Sequence, residues 1–489
     1  MQAGKPRWKE GERNGMLKPE QEVSAKYLRT LRQTLSEVIL PEVASAAGRN
    51  ALTLCDYVLV RMIAALDEVP GVQADHEGRF ATLLGRAVDL SGEALRGAAV
   101  DPDRAARLQL AIPGLFEGAG AAGAAAQQLG LLAEIGAAED ALRRDYEAAA
   151  KRAGEVKLPM PASLGVTGEA VQAYLDQKFS QKINLRSCYQ IPGGRSKLTV
   201  LLEVEPNDVL PEAMVIRIDG PDSAINTTVL DEFPILDVMY KSGIAAPEPL
   251  WVEADANFLG APFLVMRRMP GKAAGDLWAA EQVSPAIGVA LAQALASVHG
   301  ARIETVWPEA PRDARTAVAE MLSSFESGWR AGNSTPSLAM ECAYGWLKRQ
   351  LSRIEGPTVT VHGDAHFANL LAQGVELVCL LDWEFTHPGH PAEDLAYCRT
   401  YVEKIMKWDD FMRHYRAHGG LPVSEAQLEF FAVWGYLRNV TFSANMLRDF
   451  NDGKVHGIQN LAIALNTRSR LEALLAHEVA RALQREAAG

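Results

Sequence analysis

The sequence predicts an α+β protein in which an all-α helical bundle precedes a mixed domain of strands and helices. Apolar residues in the first 153 positions recur at steps of three and four, which is typical of amphipathic helices. Later segments are short, rich in β-branched and aliphatic residues, and bounded by glycine or polar residues, as strands are. The chain then returns to helical periodicity for its last hundred residues or so.

Composition limits the class of protein. The chain has 489 residues, 48% of them hydrophobic and 22% charged, which is enough for two or three domains with substantial cores. The formal net charge of -12 argues against nucleic acid or an anionic membrane as a partner. The five cysteines show no CxxC spacing, and no apolar segment is long enough to cross a bilayer. We therefore expect a soluble, cytoplasmic protein.

The first 153 residues are predicted to form a bundle of four or five helices. They contain no constellation of histidine, cysteine and carboxylate that suggests chemistry, so we expect a packing element, a site for a protein partner or a surface for self-association. Two prolines and a lack of periodicity mark residues 154–165 as a linker. Helices are predicted at about residues 23–40, 51–66, 79–96, 103–111 and 117–153.

The mixed domain, residues 166–489, is predicted to begin with a helix and a glycine-turn hairpin. Residues 187–204 alternate in polarity around Gly193 and Gly194, and glycine lets backbone N–H groups approach phosphates because no side chain intervenes. The next predicted strand, residues 214–218, carries Arg217. Glu232, in a predicted helix, is the candidate ion-pair partner of Arg217.

The most informative stretch follows residue 358. Residues 359–361 and 375–381 look like two buried strands, and we expect them to form a hairpin-like pair. That pairing would bring Asp364 and Asn369 close to Asp382. Carboxylate and amide oxygens suit Mg²⁺ shared with phosphates, and an Asp followed five residues later by Asn matches the kinase template for phosphoryl transfer.

These motifs, HGDxHxxNxL, LDWE and GHPAEDLAY, resemble the aminoglycoside phosphotransferase and choline kinase superfamily of protein-kinase-like enzymes. The resemblance implies a two-lobed fold with an N-lobe at about 166–268, a C-lobe at about 269–489, and ATP in the cleft. It also implies that Asp364 orients the acceptor hydroxyl and accepts its proton, while Asn369 and Asp382 hold Mg²⁺. ATP-binding roles fall on Gly193, Gly194, Arg195, Ser196, Arg217 and Glu232, and supporting roles on His362, His366, Glu384 and Asp394.

The combination of a GGxS-type loop, an arginine at position 217 and the DWE motif is similar to the kinase-like domains fused to some acyl-CoA dehydrogenases. This resemblance implies ATP-dependent phosphorylation of an alcohol group, with a hydroxyacyl-CoA or another hydroxylated catabolic intermediate as the first candidate acceptor. An antibiotic or a choline-like alcohol is the alternative. Residues 401–489 hold ten acidic and eleven basic residues, so they offer no excess of carboxylates for a polycationic aminoglycoside.

Two interpretations of other classes stay open. His362, His366, His387 and His390 with Asp364 could form the zinc site of a hydrolase, although zinc would explain neither Asn369 nor Glu384. The arginine at 217, where kinases place a lysine, also permits a catalytically weak, kinase-like binding protein.

Overall fold

The computed structural model describes residues 17–91, 104–118, 125–154, 166–191, 197–220, 227–275, 283–332, 337–454 and 458–488. The described part of the first third of the chain is helical, as predicted. Ser45 caps the second helix by accepting a hydrogen bond from the Gly48 amide. The helices are α1 (Leu17–Thr34), α2 (Ala46–Asp67), α3 (Val69–Ser91), α4 (Arg104–Gly118) and α5 (Ala125–Ala153).

An antiparallel five-stranded sheet in the order β1-β2-β3-β5-β4 forms the next layer. Its strands are β1 (Leu185–Ile191), β2 (Lys197–Val204), β3 (Ala213–Asp219), β4 (Pro249–Glu253) and β5 (Phe263–Arg267). Helix α6 (Gly168–Lys178) precedes the sheet, and α7 (Val229–Lys241) begins at a capping box formed by Thr228 and Asp231. Alternating side chains of β2 and β3 pack with Tyr174 of α6 in one apolar core. This layer corresponds to the predicted N-lobe.

The remaining residues form a mostly helical lobe with short strands. The helices are α8 (Pro285–His299), α9 (Ala314–Gly332), α10 (Leu338–Gln350), α11 (Ala392–Val402), α12 (Trp408–Ala417), α13 (Glu425–Asn451) and α14 (Ile458–Ala488). The strands are β6 (Lys272–Ala273), β7 (Val359–Val361), β8 (Leu370–Gln373), β9 (Glu376–Leu380) and β10 (His387–Gly389). Within the described ranges, no helix combines the length and the apolar character needed to cross a membrane.

The predicted pairing of residues 359–361 with residues 375–381 is wrong. Strand β7 pairs antiparallel with β10, and β9 pairs with β8. The β8–β9 turn contains Gly374 at φ +66°, a left-handed conformation that glycine adopts without strain. The end of β8 at Gln373 is three residues from the start of β9 at Glu376, whereas the end of β7 at Val361 is fifteen residues from it. For β9, pairing with β8 therefore closes a smaller loop and costs less chain entropy.

The helical bundle and the C-lobe share an apolar core. Leucines and alanines of α3, α4 and α5 belong to the same buried cluster as side chains of α8, α10, α13 and α14. Helix α14 packs along α5, where a Cβ on Gly136 would lie 3.2 Å from the Ala480 Cβ. The buried Arg143 of α5 also forms an ion pair with Glu472 of α14 at 2.8 Å. The predicted division at 154–165 therefore stays a prediction, and residues 155–165 lie outside the described ranges.

Candidate active site

The loop after β7 is held by a buried aspartate of α11. The Asp394 carboxylate accepts hydrogen bonds from the backbone amides of His362 and Gly363, both at 2.8 Å, and contacts the His299 ring at 3.1 Å. Burial raises the pKa of Asp394, but the hydrogen bond and charge of His299 and these amides outweigh burial, so the pKa lies below its ordinary value. Asp394 thus fixes the path of the backbone leading to Asp364.

Gly363 has a specific role in this loop. Its φ is +83°, and a Cβ there would lie 2.5 Å from the Phe385 carbonyl oxygen. The loop and the segment after β9 can approach this closely only because position 363 has no side chain. The Gly363 carbonyl in turn accepts a hydrogen bond from the buried Arg438 of α13 at 2.8 Å.

Both carboxylate oxygens of Asp364 accept hydrogen bonds. Asn369 Nδ2 donates to Oδ2 at 2.8 Å, and the Tyr397 hydroxyl donates to Oδ1 at 2.7 Å. His366 Nε2 lies 3.6 Å from Oδ2. Burial raises the pKa of Asp364, but His366, Tyr397 and Arg438 together lower it below its ordinary value. Asp364 is therefore ionised at neutral pH, in the state that a proton acceptor needs.

Asn369 and Asp382 are brought together by the backbone. The Leu381 amide donates to the Asn369 carbonyl at 2.7 Å, which sets Asp382, the next residue, beside Asn369. The Asn369 amide nitrogen points to Asp364, so its amide oxygen faces the other way. Asp382 has φ +67°, and it is the only residue other than glycine with positive φ in the described ranges. Such strain is typical of functional sites.

These oxygens fit the predicted magnesium role by their chemistry. An amide oxygen and a carboxylate are hard ligands of the kind Mg²⁺ takes, alongside water and substrate phosphates. The Asp382 side chain is 28% exposed, so part of it is accessible to a ligand. Its Oδ1 is paired with Arg217, a contact that a metal ligand would have to share or release.

Arg217 joins the two lobes. Its Nη2 donates to Asp382 Oδ1 at 2.7 Å and lies 3.7 Å from Glu384, while Nη1 lies 3.6 Å from Glu232 of α7. Burial alone would lower the pKa of Arg217, but the three carboxylates raise it overall, so the guanidinium stays charged. The predicted contact between Arg217 and Glu232 is present as an ion pair; the roles of both residues toward ATP remain predictions.

Sequence reasoning missed Lys197. This lysine begins β2, and its Nζ donates to Glu384 Oε2 at 2.6 Å and lies 3.3 Å from Glu232 Oε2. Its side chain is only 1% exposed. Burial and the charge of Asp382 raise the pKa of Glu384 despite Lys197 and Arg217 nearby. A lysine at the start of a strand usually reaches solvent, so the only signal in the sequence was its position directly after the predicted glycine loop.

The four histidines of this stretch do not form a metal centre. His390 is stacked on Phe431 and contacts the Glu355 carbonyl, His387 pairs with Glu393, and His362 Nδ1 accepts from the Asp364 amide. Within the residues that the structure describes, no group of three or more His, Cys, Asp or Glu side chains could hold a metal ion. The zinc interpretation therefore gains no support from the described geometry.

Part of the predicted nucleotide site lies outside the described residues, namely Gly193, Gly194, Arg195 and Ser196. The strands on either side of this loop pair antiparallel, with Ile191 opposite Thr199.

Comparison with known proteins agrees with the resemblance predicted from the motifs. A family model described as "Phosphotransferase enzyme family" (APH) matches residues 187–421. The chain is also 25% identical over 270 residues to acyl-CoA dehydrogenase family member 11 of Rattus norvegicus, covering 52% of this chain. The match covers 34% of that relative, so the chain spans about a third of its length.

Two solved structures are similar at low identity. A choline/ethanolamine kinase family protein from Mesorhizobium loti has a TM-score of 0.43 at 17% identity and covers 65% of this chain and 99% of its own. A thermostable mutant of aminoglycoside phosphotransferase APH(4)-Ia, in complex with AMP-PNP and hygromycin B, has a TM-score of 0.44 at 17% identity, with the same coverage. Residues 187–421 of this chain thus match the model of the phosphotransferase enzyme family, in agreement with the motifs.

Proposed function

We propose that this protein is an ATP- and Mg²⁺-dependent kinase that phosphorylates a hydroxyl group of a small substrate. One observation carries the proposal: Asp364, a partly buried aspartate whose lowered pKa keeps it ionised, accepts a hydrogen bond from Asn369, whose backbone carbonyl accepts from the amide of the residue before Asp382. This arrangement supports the proposal because it offers a carboxylate suited to accept a proton and, within one loop cluster, an amide and a carboxylate suited to hold Mg²⁺, as phosphoryl transfer requires.

In the proposed reaction, the oxygen of the acceptor hydroxyl forms a bond to the γ-phosphorus of ATP. Asp364 accepts the proton that this hydroxyl loses. The bond from that phosphorus to the bridging oxygen of ADP breaks, and ADP leaves with the electron pair. Asn369 and Asp382 would hold Mg²⁺, which supplies positive charge to the phosphate oxygens when it is bound. Arg217 is the nearby cation that orients the nucleotide, and positioning and charge provide most of the acceleration.

For the acceptor, we propose a hydroxyacyl-CoA or another hydroxylated catabolic intermediate. The support is the match to acyl-CoA dehydrogenase family member 11 and the near balance of charges in residues 401–489. Tyr397, Tyr401 and His366 lie around Asp364, and their rings would contact a partly apolar acceptor.

The test is ADP release measured with Mg²⁺·ATP and a panel of hydroxyacyl-CoAs, free hydroxy acids, choline-like alcohols and antibiotics. We expect turnover with one class of hydroxyl compound and none when the hydroxyl is replaced by hydrogen. Product mass should increase by one phosphoryl group. Activity that requires zinc, ignores Mg²⁺ and consumes no ATP would contradict the proposal.

A further inference from the structure

Lys197 and Arg217 share the same buried carboxylates. Glu232 is 3.3 Å from Lys197 and 3.6 Å from Arg217, and Glu384 is 2.6 Å from Lys197 and 3.7 Å from Arg217. Glu232 and Glu384 are almost completely buried, with side chains 1% and 4% exposed. Two cations, one on β2 and one on β3 of the N-lobe sheet, are therefore ion-paired with the same two glutamates.

The charges of this cluster nearly cancel. Lys197 and Arg217 contribute two positive charges, and Glu232, Glu384 and Asp382 contribute three negative charges when all are ionised. A buried carboxylate without a positive partner is strongly destabilising. If Lys197 were absent, Arg217 would be the single cation facing three carboxylates within this cluster.

Arg217 and Lys197 differ in what else they can reach. The Arg217 side chain is 14% exposed and donates to Asp382, whose side chain is 28% exposed. The Lys197 side chain is 1% exposed, and its ammonium is directed at Glu384 and Glu232. Of the three N–H donors of this ammonium group, one donates to Glu384, and Glu232 Oε2 lies 3.3 Å away as an ion-pair partner. Lys197 is thus placed to neutralise the glutamates and Arg217 to reach a ligand.

We propose that Lys197 is a positioning residue of the nucleotide site: it neutralises Glu232 and Glu384 so that Arg217 can turn its guanidinium to the phosphates of ATP. This inference rests on the proposed kinase function. A metal ion held by Asp382 would share or release the contact of that carboxylate with Arg217, and without Lys197 the two glutamates would then draw the Arg217 guanidinium toward themselves. Lys197 thereby sets how tightly ATP is held without touching ATP itself.

The test measures Mg²⁺·ATP binding by calorimetry in the full chain, in Lys197→Met and in Lys197→Met/Glu384→Gln. Methionine keeps the length of lysine without its charge, and the second substitution removes one negative charge to restore the balance. We expect Lys197→Met to weaken ATP binding about tenfold or more, because an uncompensated charge remains beside the phosphates. We expect the double variant to bind within about threefold of the wild type.

Calorimetry also distinguishes an effect of Lys197 on the ATP site from an effect on folding. The binding stoichiometry gives the fraction of folded protein, and Kd gives the affinity of the site for ATP. A purely structural Lys197 would lower the stoichiometry and the Tm but leave Kd unchanged, which would overturn the inference. If Lys197→Met does not fold, the double variant Lys197→Met/Glu384→Gln tests the inference by itself. Weak Mg²⁺·ATP binding by the double variant would mean that Lys197 contacts phosphate directly, contrary to the proposal. Failure of the wild type itself to bind Mg²⁺·ATP would refute the kinase function, a separate result.

Discussion

Asp364 is the residue on which the proposed chemistry depends, and Tyr397 is its closest neighbour. The buried Tyr397 hydroxyl donates to Asp364 Oδ1 at 2.7 Å, and burial together with the charge of Asp364 raises the pKa of that phenol well above its ordinary value. Tyr397 therefore stays protonated and keeps donating. It stabilises the ionised form of Asp364 from the side opposite Asn369, which donates to Oδ2.

Replacing Tyr397 with phenylalanine should change the pH dependence of the reaction. The Tyr397 hydrogen bond helps to lower the pKa of Asp364, so its removal raises that pKa. In the proposed reaction a protonated Asp364 cannot accept the proton of the acceptor, so the acidic limb of the kcat/KM profile should move to higher pH. The profile is measured with the acceptor that the panel identifies.

Tyr401→Phe is the matched control for this variant. Tyr401 lies beside Tyr397, with ring centroids 6.1 Å apart, and its loss leaves the Tyr397 hydrogen bond to Asp364 intact. An acidic limb that stays in place in Tyr397→Phe, or moves equally in both variants, would contradict the role given to Tyr397.

At the scale of single residues, the sequence was most informative where the spacing between two residues in one local segment predicts their roles. Asp364 and Asn369, five residues apart, were predicted to lie in one loop close to Asp382, and in the structure Asn369 donates a hydrogen bond to Asp364. Lys197 and Tyr397 were not predicted as site residues. Their importance depends on burial and on partners up to 187 residues away, and neither property can be read from one local segment.

At the scale of elements, a partly buried ion pair joins β10 and α11. His387 Nε2 lies 3.1 Å from Glu393 Oε2, and Glu393 also accepts a hydrogen bond from Trp434 of α13. Burial lowers the pKa of His387, but the charge and hydrogen bond of Glu393 outweigh burial, so the pKa is raised overall. Through Glu393, this pair connects strand β10 to helices α11 and α13.

His387→Gln should remove a pH-dependent part of the free energy of unfolding. Because the folded-state pKa of His387 is raised, its contribution is complete below the unfolded value of about 6.5 and declines as pH rises through the folded-state pKa. The stability difference between wild type and His387→Gln should therefore be larger at about pH 6 than at about pH 9. Chemical denaturation at both pH values measures it.

His390→Gln, directly after β10, is a control whose effect on the free energy of unfolding should depend on pH in the opposite direction. Burial lowers the pKa of His390 to about 4, so its contribution is present above the unfolded pKa and is lost as pH falls. Its stability difference should shrink toward acid pH. If both variants showed the same pH trend, the assignment of the ion pair to His387 would be wrong.

Element positions were predicted better than strand partners. The helix predicted to carry Glu232 is present as α7 (Val229–Lys241), and the helical periodicity predicted for about the last hundred residues is present in α11 to α14. The pairing of β7 was predicted wrongly, because β10 consists of His387, Pro388 and Gly389, which have no strand-like pattern. A three-residue strand is defined by its partner and not by its own sequence.

The whole molecule is organised around a core that the bundle and the C-lobe share. Gly136 of α5 faces Ala480 of α14, whereas a Cβ on Gly130 of the same helix would meet no atom within 4 Å. The sequence predicted a separate bundle because its helices are amphipathic, but periodicity does not say which partner an apolar face will meet. The contact between α5 and α14 joins residues more than 300 positions apart.

Gly136→Leu should destabilise the kinase-like part as well as the bundle. Overpacking costs about 1–3 kcal/mol, while Gly130→Leu avoids that cost and gains about 1 kcal/mol from removing a helical glycine. Eight of the nine tryptophans lie after residue 250, so their fluorescence reports the kinase-like part. We expect the tryptophan transition and the helical circular-dichroism signal to shift together in Gly136→Leu.

Gly130→Leu should leave both transitions at or above the wild-type position. Two separate transitions, with the tryptophan signal unmoved by Gly136→Leu, would show instead that the bundle unfolds independently and that the predicted boundary at 154–165 divides two autonomous units.

The central claim, that this is a Mg²⁺·ATP-dependent kinase, is tested most directly by ATP calorimetry with and without Mg²⁺ on Asp364→Asn and Asp382→Ala. As a proton acceptor, Asp364 should be replaceable by Asn with Mg²⁺·ATP binding largely kept while turnover falls about 10²-fold or more. Asp382→Ala should lose Mg²⁺-dependent ATP binding as well as turnover, because a metal ligand is removed. Equal ATP binding by both variants, or binding by the wild type that does not depend on Mg²⁺, would contradict the claim.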